Sequence, residues 1–498
     1  MQLRKITAYI GFGLLILGST QAWCAPNASL LASRLTGPAP LSVSFDATGT
    51  TSSISTLNTF RETGYHFLFD DPSSGNWLHS NKSKNEQIGG PIAAHVFDTP
   101  GTYNVELRVR EPDGSTDTDN LTITVTDPDQ VFSGTNTVVI SRTDDTSGAP
   151  AGAQLITNAS GWPSWQSGKR YLLRAGQDFA GLGNINIQQL QDVQIDKLGA
   201  ESNPTVADIV IEGNVSAANW AARVTVRHMS ATRLYANLSS DHSLFYQNTS
   251  ANNIDNGSSV EWYATSWSGD ETLRSQMTWP TNFFVVENTV SDPDTNIING
   301  AGSTGFGGRG SVWMGNSLAG SYSHSMRLWF AYKTFIGHNY LTATPIASPI
   351  TTHIKLHSSG TDAYMDQILD SPTPATRYVV IADNRVGDGD ENKSWSLNAS
   401  PQNSLASTEE GLEDIIMENN LFDRQYSANV SMSGRNMIER GSANLDNTTA
   451  NVATGHTAAT GWDGPYYFGS PVIEPIELSS VPNPPAPPGN VAVEIIEN

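Results

Sequence analysis

Short stretches in which apolar and polar residues alternate dominate the first part of the chain. They cover residues 41–45, 65–69, 103–109 and 121–125. A period of two is typical of β-strands with one face in a core and the other in water. Pro100-Gly101 and Asp113-Gly114 supply turns between these strands. The pattern therefore predicts a β-sandwich over residues 27–128.

A different pattern follows, in which short apolar strands end in an asparagine and a second apolar residue. These asparagines are Asn288, Asn316, Asn339, Asn384 and Asn420, at intervals of 28, 23, 45 and 36 residues. One turn of a parallel solenoid takes ~20–30 residues, so 45 indicates two turns and 36 one turn with an insertion. Asparagine tolerates left-handed backbone at a corner, and its amide can bond to the asparagine stacked above or below. The spacing predicts a parallel β-solenoid over residues 129–475.

Both parts resemble known families. Residues 37–41 (GPAPL), 65–71 (YHFLFDD) and 95–103 (HVFDTPGTY) resemble a PKD domain, the immunoglobulin-like module of many secreted bacterial enzymes. Asp71-Pro72 departs from the Gly-Asp turn usual in that family. The asparagine repeat resembles the right-handed parallel β-helix of pectate-lyase-like proteins. The resemblances imply an all-β chain: a sandwich that acts as a spacer or glycan-proximal module, followed by a right-handed parallel β-helix.

The chain begins with the layout of a secretory signal peptide. Residues 1–25 contain Arg4-Lys5, an apolar run over 10–17 and small residues after it. We therefore expect a secreted protein, in the periplasm, at the cell surface or outside the cell. No other apolar run reaches the ~18 residues of a membrane span. Cys24 is the only cysteine, so an intrachain disulfide is excluded; a lipid anchor on it is the alternative to a cysteine of the signal region.

The overall charge is acidic, with one local exception. The formal net charge is −22, from 49 acidic and 27 basic residues, which gives no electrostatic reason to bind nucleic acid. Between Asp294 and Asp362 there is no acidic residue, although this interval holds four of the ten histidines and several Lys and Arg. The reversal predicts a surface for an anionic partner, which we expect to be a polysaccharide bound by a monomer.

Strand alternation predicts where these cations lie. His353, Lys355 and His357 fall on one face of a strand, and Arg327 and Trp329 on one face of another. Arg327 and Lys355 are 28 residues apart, about one turn, so they are expected to stack on adjacent strands. Trp packs on the C–H faces of sugars and Arg or Lys binds their carboxylates. The alternative is a solvated wall on which positive residues lie together by chance.

The leading hypothesis is a lyase that cleaves a uronate polysaccharide by β-elimination. That chemistry needs a cation on the carboxylate, a base for the C5 proton and a donor to the leaving oxygen. The expected roles are neutralisation by Arg327, base catalysis by Lys355 or His357, proton donation by Tyr332 or His353, and substrate contact by Trp329, Lys333 and Arg309. The alternatives are a non-catalytic glycan-binding or adhesive protein, and a glycoside hydrolase with two carboxylates ~5–9.5 Å apart.

A second cluster has the chemistry of a calcium site. Asp388, Asp390 and Glu391 place carboxylates around Gly389. Clustered oxygen ligands are what Ca²⁺ requires, and the pectate-lyase-like resemblance allows Ca²⁺ to assist. An acidic, solvent-exposed turn is the alternative. Residues 476–498 are expected to be a Pro-rich tail.

Overall fold

Two small sheets near the start of the chain are followed by two long parallel sheets. The computed structural model describes residues 25–213, 221–236, 240–256, 282–290, 301–306, 310–320, 324–329, 331–343, 352–357, 376–387, 395–399, 412–423, 428–432, 435–445 and 452–453. Helices in these ranges are short: α1 (Thr59–Glu62), α2 (Pro128–Val131) and two 3₁₀ turns, Gly134–Asn136 and Ala180–Leu182. No described helix is long and apolar enough to cross a membrane. The predicted signal peptide and Pro-rich tail lie outside the described residues, apart from Ala25.

The small sheets face each other as a sandwich. A three-stranded sheet has the order β1-β3-β6 and a five-stranded sheet the order β2-β8-β7-β4-β5. Their facing apolar side chains form one buried core, which includes Val43, Phe45, Phe67 and Leu107. The strands are β1 (Leu31–Ala32), β2 (Thr36–Pro38), β3 (Leu41–Asp46), β4 (Gly64–Leu68), β5 (Glu86–Gly89), β6 (Ile92–Phe97), β7 (Gly101–Arg110) and β8 (Thr116–Thr126).

The long sheets are named sheet I and sheet II, with 13 and 17 described strands. Sheet I contains β9 (Thr137–Ile140), β10 (Gln154–Ile156), β11 (Arg170–Arg174), β13 (Gln191–Leu198), β16 (Ala221–Arg227), β18 (Ser240–Asp241), β19 (Leu244–Tyr246), β21 (Phe284–Val286), β24 (Val312–Met314), β27 (Tyr332–Gly337), β30 (Thr376–Ala382), β33 (Leu412–Glu418) and β36 (Arg435–Arg440). Sheet II contains β12 (Ile185–Gln188), β14 (Thr205–Val206), β15 (Ile209–Glu212), β17 (Ser230–Ala236), β20 (Thr249–Asn256), β22 (Thr289–Val290), β23 (Ala301–Phe306), β25 (Ser317–Gly320), β26 (His324–Trp329), β28 (Tyr340–Ala343), β29 (Thr352–His357), β31 (Arg385–Val386), β32 (Trp395–Ala399), β34 (Leu421–Phe422), β35 (Ala428–Met432), β37 (Ala443–Asn444) and β38 (Val452–Ala453).

From β21 onward, each turn of the solenoid contributes one described strand to sheet I and then two to sheet II. After β27, β28 and β29 the chain returns to sheet I as β30, which pairs in parallel with β27. The same order recurs in the following turns, where β31 pairs with β28 and β32 with β29. Inward side chains of the two sheets meet in one continuous core. This arrangement is a parallel β-helix, and the all-β prediction is confirmed.

A ladder of buried asparagines joins successive turns. Nδ2 of Asn316 donates to Oδ1 of Asn339 at 2.9 Å, and Nδ2 of Asn339 donates to Oδ1 of Asn384 at 2.9 Å. The ladder runs on to Asn420 at 3.0 Å and starts at Asn248, which donates to Asn288 at 3.0 Å. The predicted amide stacking is therefore observed.

The left-handed residue at this corner is the one before the asparagine. Glu287, His338 and Asp383 have φ values of 53°, 59° and 59°, and Gly315 has 69°. The left-handed backbone turns the side chain of the residue before the asparagine outward. The asparagine side chain points inward and forms hydrogen bonds with backbone groups of the neighbouring turns. The expectation that the asparagine itself adopts the left-handed conformation is wrong.

The interval of 45 residues is one turn and not two. Phe335 is the direct register partner of Val380, and Asn339 bonds directly to Asn384. The additional residues fall between β28 and β29 and between β29 and β30, within 344–351 and 358–375, which lie outside the described residues. The additional residues therefore lengthen this turn without changing the register of β27 and β30.

The sandwich lies directly on the outer face of sheet I. Ile92, Ala94 and Val96 of β6 share a buried apolar cluster with side chains of β19, β21, β24, β27, β30, β33 and β36. Their neighbours Ala93 and Phe97 point into the sandwich core. The three-stranded sheet thus lies between the five-stranded sheet and sheet I. For β3 the predicted wet face is wrong, because Ser42 is 0% and Ser44 6% exposed.

Polar contacts surround this apolar interface. Lys82 pairs with Asp383, Lys84 with Glu287, and Gly90 N donates to Glu418 Oε1 at 2.8 Å. These partners sit at the corner of each turn or at the end of a sheet I strand. The sandwich therefore contacts many successive turns, which a free spacer module would not do.

Asn316 provides a test of the ladder. Asn316→Ala removes the acceptor of Asn288 N at 2.9 Å and the donor to Val285 O at 2.8 Å, both buried. Each orphaned buried group costs ~1–3 kcal/mol, so we expect a loss of roughly 3 kcal/mol or more in the free energy of unfolding. Asn120→Ala, on an exposed strand position, is the control and is expected to cost about 0.5 kcal/mol or less. Equal urea midpoints for the two variants would contradict the ladder's role.

His338 makes the interface sensitive to acid. It is 1% exposed, its ring stacks on Trp77 at 4.9 Å, and its Nδ1 and Nε2 lie 2.9 Å from Ser80 Oγ and 2.8 Å from Gln87 Oε1. Burial, with Lys82 and Lys84 nearby, holds its pKa well below the ordinary value.

Just below pH ~6.5, this histidine is therefore protonated in the unfolded chain and neutral in the folded chain. The free energy of unfolding falls as the pH drops through this range. We expect a loss on the order of 1 kcal/mol per pH unit. His338→Asn, which tolerates the positive φ, should flatten the melting temperature between pH 7.5 and 5.5 relative to wild type. An unchanged slope would rule out this role.

Candidate functional site

Arg327 and Lys355 are neighbours on adjacent turns of sheet II. β26 and β29 pair in parallel with Arg327 opposite Lys355. Met326 and Leu328 on β26, like Ile354 and Leu356 on β29, are fully buried in the solenoid core. Alternation therefore turns the two cations to the outer side of the sheet. The stacking that the 28-residue separation predicted is confirmed.

Lys355 has an unusual environment for an ammonium group. Its burial, and the like charge of Arg327, lower its pKa from 10.5 to about 8. An amine with such a pKa is partly neutral near neutral pH and can accept a proton. Arg327 keeps its charge under the same conditions because guanidinium does not deprotonate in proteins. The pair thus combines a permanent cation with a base.

His353 is not the exposed group that alternation predicted. It is 0% exposed, and its Nδ1 lies 2.9 Å from the hydroxyl of buried Ser325 on the adjacent turn. Ser325 is also 0% exposed, so the outer side of sheet II is covered at this pair of residues. Trp329 and His357 are backbone register partners at the far end of these strands. Their side chains lie outside the described atoms.

Tyr332 and Lys333 lie on sheet I and not on the sheet that carries Arg327 and Lys355. The chain passes a corner after β26, so closeness in sequence does not give a shared face. Lys333 pairs with Asp46 of the sandwich, and the Tyr332 ring lies 5.7 Å from that of Tyr378. Their predicted roles as proton donor and substrate contact in one patch with Lys355 are therefore not supported.

Four further predicted residues lie outside the described residues. They are Arg309, Asp388, Asp390 and Glu391. Within the described part of the chain, no group of three or more His, Cys, Asp or Glu is arranged to hold a metal ion. The calcium site at Asp388 and its neighbours stays a prediction from the sequence.

A cleft between the sandwich and the solenoid was not predicted. Its volume is about 190 Å³, and its lining includes Asp71, Lys84 and Asp98 from the sandwich and Gln247 and Glu287 from the solenoid. Asp71 of its lining belongs to the Asp71-Pro72 sequence noted above, which by itself did not indicate a cleft. The solenoid side gave no signal, because Gln247 and Glu287 are apart in sequence and meet only through the stacking of turns.

Comparisons with known proteins give only distant similarities. No family model matches the chain, and no curated protein matches it. Among solved structures, an alginate lyase from Paenibacillus is 11% identical, with 59% of this chain and 94% of that one covered and a TM-score of 0.35. A family 28 exopolygalacturonase from Yersinia enterocolitica is 9% identical, with 90% and 98% covered and a TM-score of 0.30. A structure from work on the promiscuous specificity of carbohydrate-binding modules of the β-sandwich superfamily is 23% identical, with 21% of this chain and 36% of that one covered and a TM-score of 0.17. These similarities are too weak to identify an activity.

Proposed function

We propose that the protein is an extracellular polysaccharide-active protein, and that it cleaves a uronate polymer by β-elimination at Arg327 and Lys355. The observation that carries the proposal is the pairing of these two side chains on adjacent turns, within a stretch of sequence that has no acidic residue. In a chain of net charge −22, such a stretch is the place where an anionic sugar meets least repulsion.

The chemistry follows from the two groups. Arg327 binds the uronate carboxylate and so stabilises the negative charge that develops when C5 loses its proton. Neutral Lys355 accepts that proton, the C5–H electron pair forms the C4–C5 double bond, and the C4–O bond breaks. The leaving oxygen takes a proton from water or from a side chain outside the described residues, because Tyr332 lies on the other sheet and His353 is buried.

The position of the sandwich supports sheet II as the substrate-facing side. The outer face of sheet I is buried beneath the sandwich in the region of β19 to β36. The sandwich does not cover sheet II in this region, and Arg327 and Lys355 on its outer side are partly exposed.

Three finer features belong to the same proposal. The first unit is a PKD-like module, which is supported by the sequence resemblance of residues 37–41, 65–71 and 95–103. The protein is exported, which is supported by the signal-peptide pattern of residues 1–25. Asp388, Asp390 and Glu391 bind Ca²⁺, which is supported by their clustered carboxylates. Docking of the module on sheet I supports a structural role for it in place of a mobile spacer.

The second candidate is a glycan-binding or adhesive protein in which the same cations only hold the ligand. The partly buried Arg327–Lys355 pair is compatible with carboxylate binding without cleavage. The two functions differ in the product, because elimination leaves a double bond conjugated to the carboxylate, which absorbs ultraviolet light.

The experiment is incubation with alginate, polygalacturonate and glucuronate-containing polymers, with and without calcium, with ultraviolet absorbance and product masses as readouts. We expect absorbance and unsaturated products with at least one polymer. Retention on a uronate affinity gel without absorbance in any condition would replace the lyase by the binder. If neither retention nor absorbance is observed, the patch is only a solvated wall and both candidate functions fail.

A further inference from the structure

The cleft between the sandwich and the solenoid has a buried floor and an open rim. Asp71 and Tyr246 on the floor are 3% and 5% exposed, whereas Asp98 at the rim is exposed. Its volume of about 190 Å³ lies below the ~300–1,000 Å³ of sites for drug-sized ligands. The shape suits one small ring that enters from solvent, not a peptide or an extended polymer.

Charge decides which kind of ring fits. The cleft has three carboxylates, and each has a partner: Asp98 with Arg227 at 2.8 Å, Glu287 with Lys84, and Asp71 with His95 at 3.0 Å. Because the histidine is buried and its pKa is lowered, the three carboxylates and the one ammonium group that line the cleft sum to about two negative charges at neutral pH. A uronate would be repelled, whereas an uncharged ligand with several hydroxyls would find carboxylate and amide acceptors close together.

The same ion pairs argue against hydrolysis in the cleft. A glycosidase needs one carboxyl group that stays protonated as an acid. Burial acts to raise the pKa of Asp71, but hydrogen bonds from His95 and Ser73 outweigh it and hold this pKa below the ordinary value. A charged carboxylate of this kind binds hydroxyl groups and does not donate a proton.

We propose that this cleft binds a single uncharged sugar unit, held by Asp98, Gln247 and Glu287 from the two sides of the interface. The site is separate from the elimination site in both residues and ligand charge, and goes beyond the proposed lyase function. Because the sandwich and the solenoid each supply part of the site, the bound sugar contacts both and stabilises their docking.

The test uses methyl glycosides of glucose, galactose and mannose, with methyl glucuronide and methyl glucosaminide as charged probes, in saturation-transfer NMR and calorimetry on the full chain. We expect a neutral glycoside to bind, and to raise the melting temperature by linkage. Asp98→Ala should weaken binding about tenfold or more. Ser73→Trp, which fills the cleft from its exposed rim, should abolish it.

Two controls separate this site from the lyase. Asp113→Ala, in an exposed turn of the sandwich outside the cleft, and Lys355→Ala should both bind the neutral glycoside as wild type does. The proposal is overturned if no neutral glycoside binds, if only the charged probes bind, or if Ser73→Trp binds as wild type does. None of these outcomes depends on whether uronate polymers are cleaved.

Discussion

Lys355→Ala is expected to lower the rate of elimination by roughly 10²–10⁴-fold, the usual contribution of a positioned general base. The reason is that Lys355 is the described group beside Arg327 whose pKa, at about 8, permits proton uptake near neutral pH. Retention on a uronate gel should fall far less, because Arg327 still binds the carboxylate. The measurement is kcat/KM from initial ultraviolet absorbance rates.

Lys355→Arg sharpens this test. Arginine keeps the positive charge but cannot become neutral, so the variant should retain the polymer and still fail to cleave it. Lys169→Ala removes a comparably exposed lysine elsewhere and should leave the rate unchanged. If Lys355→Arg cleaves as fast as wild type, Lys355 acts through its charge alone and is not the base.

Trp77→Ala is expected to give the largest loss of stability at the interface, about 3–5 kcal/mol. Trp77 is 5% exposed, stacks on His338 and belongs to the apolar cluster shared with sheet I. The neighbouring Leu78 is 80% exposed, so Leu78→Ala is a matched control that should cost less than about 0.5 kcal/mol. Calorimetric melting of the full chain measures both.

Gly315→Ala tests the same contact from the solenoid side. Gly315 has a φ of 69°, and a Cβ there would lie 2.6 Å from the Trp77 ring, so alanine is strained and displaces the tryptophan. It should reproduce part of the loss caused by Trp77→Ala. If both variants melt like Leu78→Ala, the sandwich does not dock on sheet I in solution.

The sequence allowed the β-helix to be predicted because its asparagines repeat at turn length. The prediction of two turns for the interval of 45 residues was wrong, because spacing alone cannot distinguish two turns from one turn with insertions. The pairing of Phe335 with Val380 shows that the interval is one turn. The stacking of Arg327 on Lys355 could be predicted because a separation of 28 residues lies within the usual length of a single turn.

The pattern of apolar residues in sheet I indicates that its outer face is covered, although the sequence prediction above did not include this. In residues 283–286, Phe283 and Val285 point into the solenoid core, whereas Phe284 and Val286 point into the interface. A strand that is apolar at every position is buried on both faces and requires a cover. What the sequence could not indicate is which surface provides that cover, and hence the cleft that forms beside it.

The pH dependence of kcat/KM for elimination tests the central claim most directly. Because neutral Lys355 is the base, the wild-type rate should rise with pH through an inflection near 8. Arg327→Gln removes the like charge that contributes to the lowered pKa of Lys355, so its inflection should move to higher pH and its rate at pH 7.5 should drop. Elimination whose pH profile is the same in wild type and Arg327→Gln, or is unaffected by loss of Lys355, would contradict the assignment of this pair as the site.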